Sequence, residues 1–521
     1  MRLSRAGWVL AQHGVRFVPK GVPVPAPLRL ALAATWPIRI LTAPFRIGQP
    51  KSERISRAIA KLGPSYIKLG QFLATRADVI GPDLAGDLSL LQDKMPPFSN
   101  TVARRAISQS LGEDVDTVYA NLGPPIAAAS IAQVHKAQLS DGGVTRDVAV
   151  KVLRPNVEKR FKNDLDSYYF VARQVERFHP PSRRLKPTAV VDQLRRTTEL
   201  ELDLRLEAAA ISEMAENIAN DEGFGVPTVD WKRTSRRVLT LDWIDGIPIS
   251  ETEKLRAAGF DLKALGLTVI RSFLRHAMRD GFFHADMHQG NLFVVPDGKV
   301  VAVDFGIMGR LTYQERRFLA EILYGLITKD YTRAAAIHFE AGYVPPHHTV
   351  ETFAQAMRAI GEPIHGRTAD EISMADLLGQ LFAYTDVFDM ETRPELINLQ
   401  KSMVIVEGVA RRLDPELNIW MASEPIAKEW LDDNLGAAAI LRDAGQGATD
   451  FGRILADVPG VVGDLRKGGL AMATMAHEGV RLDDDSLKRL AKASSHGQWW
   501  TRSAMWIGAI SLAAIALARF W

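Results

Sequence analysis

The chain has 521 residues, 47% of them hydrophobic and 24% charged, with 64 basic against 61 acidic side chains and a formal net charge of +3. That length exceeds one ordinary domain and suits two or three lobes with a full core. So even a charge balance gives no footing for nucleic-acid binding, and the absence of cysteine excludes disulfides, thiolate metal sites and a cysteine nucleophile.

The opening stretch is not a secretory signal, because its short apolar runs are broken by Arg16 and Lys20 and no small-residue cleavage site comes after them. Residues 28–47 are apolar but carry Arg29, Arg39, Arg46 and two prolines. They read as a membrane-interface segment or, equally, as a core-packing one. "SERISRAIAKLGPSYIKLGQFLATRADVI" has helical spacing with a break at Gly63-Pro64. "MPPFS" ends that block, and Ser99 or Asn100 is placed to cap the next helix.

From about residue 117 the pattern turns to strands. "PPIAAASIAQVHKAQL", a turn at Asp141–Gly143 and "RDVAVKVLRP" predict a hairpin. A helical stretch with two breaks covers 156 to about 220, and "VPTVDW" and "RRVLTLDWIDG" predict two further strands. The rest to about 440 is mostly helical, interrupted near 282–308. At the end, Ser503 to Ala518 carries no charge and is flanked by Trp499, Trp500, Phe520 and Trp521. Sixteen helical residues reach about 24 Å. This reads as a short transmembrane span within an aromatic belt, with a buried terminal helix as the alternative.

The chemistry lies in "FFHADMHQGNLFVV" and the run from Pro296 to Gly306. Asn291 stands five residues after Asp286, and Asp304 eighteen after it, opening "DFG". "NLFVVPDGKVVAVDFG" is a hairpin that brings Asn291 and Asp304 together as hard oxygen ligands for Mg²⁺. Asp286 is placed to take a proton from a hydroxyl or to orient an attacking group. Lys151, ending "VAVK", fits a strand lysine for the α/β-phosphates, and the ordered set resembles the phosphoryl-transfer constellation of protein-kinase-like folds. His284 and His288, four apart, suggest a metal pair, but the segment reads as a loop without a third ligand. His284 is therefore expected to hydrogen-bond within the loop. Plainer readings stand beside these: Asp304 as a turn residue, Lys151 as a solvated strand lysine, Lys68 and Gln71 as surface residues of an amphipathic helix.

Three departures separate the chain from ordinary kinases. "AAASIAQVH" stands where a Gly-rich loop would be. A helical pattern resumes at "TYQERRFLAEIL" with no long activation segment. Lys151 and Glu207 are 56 residues apart, room for extra helices.

With these features the chain resembles the UbiB family of atypical kinases/ATPases over roughly residues 50 to 440. "KLGQ" (Lys68, Gly70, Gln71) resembles the family's K-x-G-Q signature, "AAAS" (Ala127–Ser130) its Ala-rich nucleotide loop, and "ELDLRLEA" its E-x-D motif, Glu201 and Asp203, followed by Glu207. Met287 and Gln289 stand where the family usually has proline, and the hinge residue Asp242 where Glu is common. The resemblance implies an α+β, bilobal protein-kinase-like fold. Its parts would be a helical extension (1–116), an N-lobe (117–245), a C-lobe (246–440), a tail (441–498) and a C-terminal transmembrane helix (499–521). It implies ATP and Mg²⁺ as cofactors. Asp286, Lys151, Lys68 and Gln71 would be catalytic. Ala127, Ala128, Ala129, Ser130, Ile131, Lys151, Glu207 and Asp242 would bind the nucleotide, and Asn291, Asp304, Glu201 and Asp203 the metal. The K-x-G-Q helix would cover the place where a protein substrate docks, favouring ATP hydrolysis or a small lipid-like substrate. The expected role is support of ubiquinone biosynthesis at a bacterial inner membrane, catalytic domain on the cytoplasmic side. Expected partners are ATP, membrane lipids, quinone precursors and other quinone-biosynthesis proteins, with a homodimer left open and no nucleic acid. The alternatives are a non-catalytic nucleotide-binding scaffold of the quinone-biosynthesis enzymes and a small-molecule kinase.

Overall fold

The computed structural model describes residues 2–15, 42, 50–74, 80, 84, 87–88, 91, 95–141, 143–178, 183, 186–365, 384, 387–390 and 394–435. The expected interface segment (28–47, apart from residue 42), the tail (441–498) and the terminal apolar span (499–521) lie outside the described residues. Among the described residues no helix is long and apolar enough to cross a membrane. The chain divides into two compact units, Met1–Asp432 and Asp433–Trp521, and nearly all described residues belong to the first.

The N-terminal part is helical: α1 (Arg2–Gln12), α2 (Lys51–Leu62), α3 (Pro64–Ala74), α4 (Asn100–Leu111) and α5 (Val115–Val118). The break between α2 and α3 falls where the sequence put it. Gly63 sits at φ 108, a conformation that only glycine adopts readily. Pro64 opens α3, where its missing N–H is no loss. Ser99 caps α4 by accepting from the Val102 N–H at 3.4 Å.

Next come β1 (Asn121–Ala128), β2 (Ala132–Asp141) and β3 (Val144–Leu153), then α6 (Val157–Phe178), α7 (Pro187–Glu201) and α8 (Leu204–Asn217). After these lie β4 (Phe224–Gly225) and β5 (Val238–Asp242). β1, β2, β3 and β5 form an antiparallel sheet in that order. Alternation in β3 sends Val148, Val150 and Val152 into a core with Ile107, Tyr119 and Leu139, and Lys151 to the opposite face. Proline cannot donate to a ladder, and the pairing of β1 with β2 shifts register around Pro125, on an edge strand.

One predicted strand is not formed as expected. In "VPTVDW" only Val229 makes an isolated bridge, to Leu241, and the chain then enters a 3₁₀ turn over Trp231–Arg233. Pro227 supplies no N–H there, and the Asp230 side chain caps the turn by accepting from the Arg233 N–H at 3.1 Å. The strand in this region lies just upstream, where β4 runs parallel to a later strand, Val300–Ala302.

The remainder holds β6 (Ile247–Pro248), α9 (Thr252–Ala257), α10 (Leu262–Arg275), a π turn (His276–Asp280), β7 (Phe282–His284), β8 (Leu292–Val294), β9 (Val300–Ala302) and β10 (Met308–Arg310). Helices α11 (Tyr313–Ile327), α12 (Tyr331–Glu340), α13 (Val350–His365), α14 (Pro394–Leu413) and α15 (Ile419–Leu435) complete the order. The expected hairpin is present, with Leu292 opposite Ala302 and Gly298 at φ 85 in its turn. It is part of a four-stranded sheet ordered β4-β9-β8-β6. One hydrophobic core joins Leu153 and Leu239 of the first sheet, Ala208 and Ile211 of α8, Phe273 of α10 and Val406 of α14. The first sheet, α8, α10 and α14 therefore share one core.

Candidate active site

Lys151 is the centre of the cleft. Its Nζ lies 2.8 Å from Glu207 Oε1 on α8 and 2.9 Å from Asp304 Oδ1 after β9. The two inserted helices, α6 and α7, account for the long gap between Lys151 and Glu207. Burial works against a charged lysine here, but Asp304 and Glu207 overturn it and raise the Lys151 pKa above its ordinary value. Burial likewise opposes charge on Asp304, yet Lys151, then His284 and Lys68, hold its carboxyl well below the usual range. Burial raises Glu207, with Lys151 pulling the other way. Lys151 is thus a cation and Asp304 an anion at neutral pH.

Asp304 adopts φ 63, a left-handed conformation uncommon outside glycine, and its side chain remains 48% exposed. Such backbone strain clusters at functional sites. Asn291 is close by, since the Val303 N–H donates to the Asn291 carbonyl at 2.8 Å. The Asn291 amide Nδ2 donates to the Asp286 carbonyl at 3.1 Å, which turns Oδ1 away as the remaining acceptor.

The loop carrying Asp286 is pinned through its main chain. The Asp286 N–H donates to His284 Nδ1 at 3.1 Å, and its carbonyl also accepts from the His288 N–H at 2.8 Å. Ser402 Oγ, fully buried on α14, donates to the Ala285 carbonyl at 3.0 Å. The Asp286 carboxylate stays 30% exposed. His284 is structural, as expected: buried, lowered in pKa by that burial, edge-on to Phe305, and bonded through Nε2 to the Val303 carbonyl at 3.4 Å. His288 Nδ1 accepts from the Gly290 N–H at 3.0 Å. The two histidines are not part of any described group of three converging ligand side chains.

The Ala-rich segment closes the β1–β2 turn. Ala127 and Ala128 end β1, and Ala129, Ser130 and Ile131 cross to β2. None of the five has a positive φ, so the turn is built from ordinary backbone. It is also stitched down. The Ala128 carbonyl accepts from the Met95 N–H (3.1 Å), the Ala129 carbonyl from Arg154 Nε (2.9 Å) and the Ile131 carbonyl from the Arg154 N–H (2.8 Å). The sequence gives no sign of this role for Arg154 beyond its place three residues after the strand lysine. Ser402 carries no sequence signal at all.

Other expected residues sit around this centre. Lys68 Nζ lies 2.5 Å from Glu201 Oε2, both largely buried, and its charge reaches Asp304. Gln71 is half-buried, one turn beyond Lys68 on α3. Asp203 caps α8 and holds the Arg205 guanidinium at 2.9 and 2.6 Å, which depresses its pKa. Glu201 and Asp203 are therefore engaged in ion pairs here. Asp242 lies opposite Val148 across the ladder, on the face away from Lys151, and its carboxylate pairs with Arg146.

Beyond Asp304, β10 pairs with β7, and Thr312 caps α11 with a capping box to Glu315. The short route from Asp304 to α11 agrees with the missing activation segment.

Comparison with known proteins agrees with this geometry. Residues 90–338 match the model of the ABC1 atypical kinase-like domain, and residues 357–418 that of the UbiB helical domain. A protein of Marinobacter nauticus named "Probable protein kinase UbiB" is 38% identical over 451 residues, 85% of this chain and 80% of that one. One of the same name from Xanthomonas euvesicatoria pv. vesicatoria is 37% identical over 471 residues, 89% of this chain and 84% of that one. A solved structure of Rv3197 with erythromycin, from Mycobacterium tuberculosis, is 23% identical with a TM-score of 0.47 over 76% of this chain and 97% of that one, a likeness too slight to carry an argument.

Proposed function

The chain belongs to the ABC1/UbiB family of atypical kinase-like proteins, and on that premise we propose that it binds ATP with Mg²⁺ and cleaves the γ-phosphoryl bond in support of ubiquinone biosynthesis. The observation that carries this reading is the bond of one lysine, Lys151, to both Glu207 and Asp304. That puts a fixed cation beside the carboxylate suited to hold a metal.

The donor set fits Mg²⁺: a carboxylate from Asp304 and an amide oxygen from Asn291 are hard oxygen ligands, and Glu201 and Asp203, ion-paired here with Lys68 and Arg205, would join them only on release from those cations. Bound Mg²⁺ would supply charge neutralisation on the phosphates. Lys151 would hold the α/β-phosphates, kept in place by Glu207. The turn from Ala127 to Ile131 and the main chain at Asp242 would enclose the nucleotide. Asp286 would orient the attacking group and accept its proton. Lys68 and Gln71, on a helix joined to α7 through Glu201, would close the cleft.

The acceptor favoured is water or a small lipid-like molecule. Thr312 caps the next helix eight residues after Asp304, which leaves little chain for a peptide platform, although the relatives are named protein kinases. We place the chain at a bacterial inner membrane through residues 499–521, catalytic part on the cytoplasmic side, working beside other quinone-biosynthesis proteins. The division into extension, N-lobe, C-lobe and tail is part of the same proposal. Complementation tests it. In a quinone-deficient strain lacking this protein, the wild type should restore quinone and Asp304→Asn should not. Equal rescue by both would favour a nucleotide-binding scaffold instead.

A further inference from the structure

Away from the cleft, three ligand-bearing side chains from two segments converge. His347 and His348 lie in the loop ahead of α13, and Asp389 lies ahead of α14. His347 Nε2 is 3.3 Å and His348 Nε2 3.6 Å from the same oxygen, Oδ2 of Asp389. The three ligand atoms all lie within 4.8 Å of one another.

As a hydrogen-bonding group this is poor. One carboxylate oxygen faces two imidazoles, and 3.6 Å is beyond hydrogen-bond range. His348 Nε2 is covered from solvent and has no hydrogen-bond partner. The two rings lie only 4.1 Å apart between centroids. As a ligand set the spacing is apt. Tetrahedral coordination with bonds of about 2.0–2.1 Å puts ligand atoms about 3.3 Å apart, close to both separations from Asp389.

We propose that His347, His348 and Asp389 bind a divalent transition-metal cation, Zn²⁺ first. Two imidazoles and one carboxylate suit Zn²⁺, Co²⁺ or Ni²⁺ and not Mg²⁺, which takes oxygen ligands. A water completes the fourth position. The site is seated on an apolar cluster: the His348 ring meets Phe388 edge-on at 5.1 Å, and Phe388 meets Phe353 at 4.9 Å. A cation here clips the start of α13 to the segment ahead of α14, closing the stretch between His348 and Asp389. Such closure stabilises by making metal binding part of folding. The role is structural and independent of the ATP-cleaving reading.

The test uses the full chain, stripped with chelator and titrated with Zn²⁺ by calorimetry and with Co²⁺ by absorption. The Asp304→Asn variant serves as background, which removes the cleft's principal metal carboxylate. One equivalent of Zn²⁺ should bind, Co²⁺ should give a tetrahedral absorption band, and Zn²⁺ should raise the melting temperature. Asp389→Asn in that background should weaken Zn²⁺ by at least about tenfold, as should His347→Ala with His348→Ala, and both should abolish the band. Asn tolerates the left-handed backbone at position 389 (φ 48), so this variant keeps the local fold. Equal Zn²⁺ affinity with and without these three side chains would overturn the proposal, as would no binding by the background protein.

Discussion

The Lys68 ammonium lies 2.5 Å from the Glu201 carboxylate, so the K-x-G-Q helix is tied to the helix that runs into Asp203 and Glu207. Both side chains are largely buried. Lys68→Ala should leave a buried carboxylate unpaired and destabilise the fold by about 3 kcal/mol. The double variant Lys68→Ala, Glu201→Ala should recover part of that loss. A denaturant double-mutant cycle measures it, and strictly additive losses would mean that the pair is not coupled.

Ser402 supports the catalytic loop from behind. Ser402→Ala removes the donor to the Ala285 carbonyl and leaves that buried acceptor unmet, a loss of about 1–3 kcal/mol. Because Ala285 precedes Asp286, kcat for ATP cleavage should fall while KM for ATP stays near wild type. A change confined to KM would place the effect elsewhere.

His338 predicts an acid-side weakness. Burial on α12 pushes its imidazole down to about 4, with the bond to the Ala334 carbonyl opposing. The unfolded chain, near the ordinary histidine value of about 6.5, takes up the proton first. Stability is therefore intact above that value and is lost as pH falls from about 6.5 towards 4, by about 3 kcal/mol in all. His338→Leu should flatten the stability slope over that window. An unchanged slope would assign the acid sensitivity to other groups.

Deleting residues 499–521 should release the protein from a membrane fraction. Retention of the truncated chain would shift membrane binding to the N-terminal segment around residues 28–47.

Much of the cleft was legible because its chemistry is local in sequence. Asp286, Asn291 and Asp304 lie on one loop and hairpin, and the alternation of β3 gives Lys151 its face. The break at Gly63-Pro64 and the cap at Ser99 arise from backbone rules that act within a few residues. What stayed hidden depends on distant contacts. Nothing near Asp242 announces that Arg146 takes its carboxylate, or that the ladder turns it away from Lys151. Ser402 reaches Ala285 across 117 residues, and Arg154 reaches back to Ala129. "VPTVDW" alternates like a strand, yet Pro227 and the Asp230 cap end its pairing.

The most direct test of the central claim is Mg²⁺-dependent ATP turnover by the purified full chain on anionic lipid vesicles. Wild type should hydrolyse ATP, and Asp304→Asn should lose at least about a hundredfold in kcat, the scale of removing one electrostatic catalytic group. Equal, nonzero turnover by the two proteins would contradict the metal-holding role of Asp304 and with it the proposed mechanism.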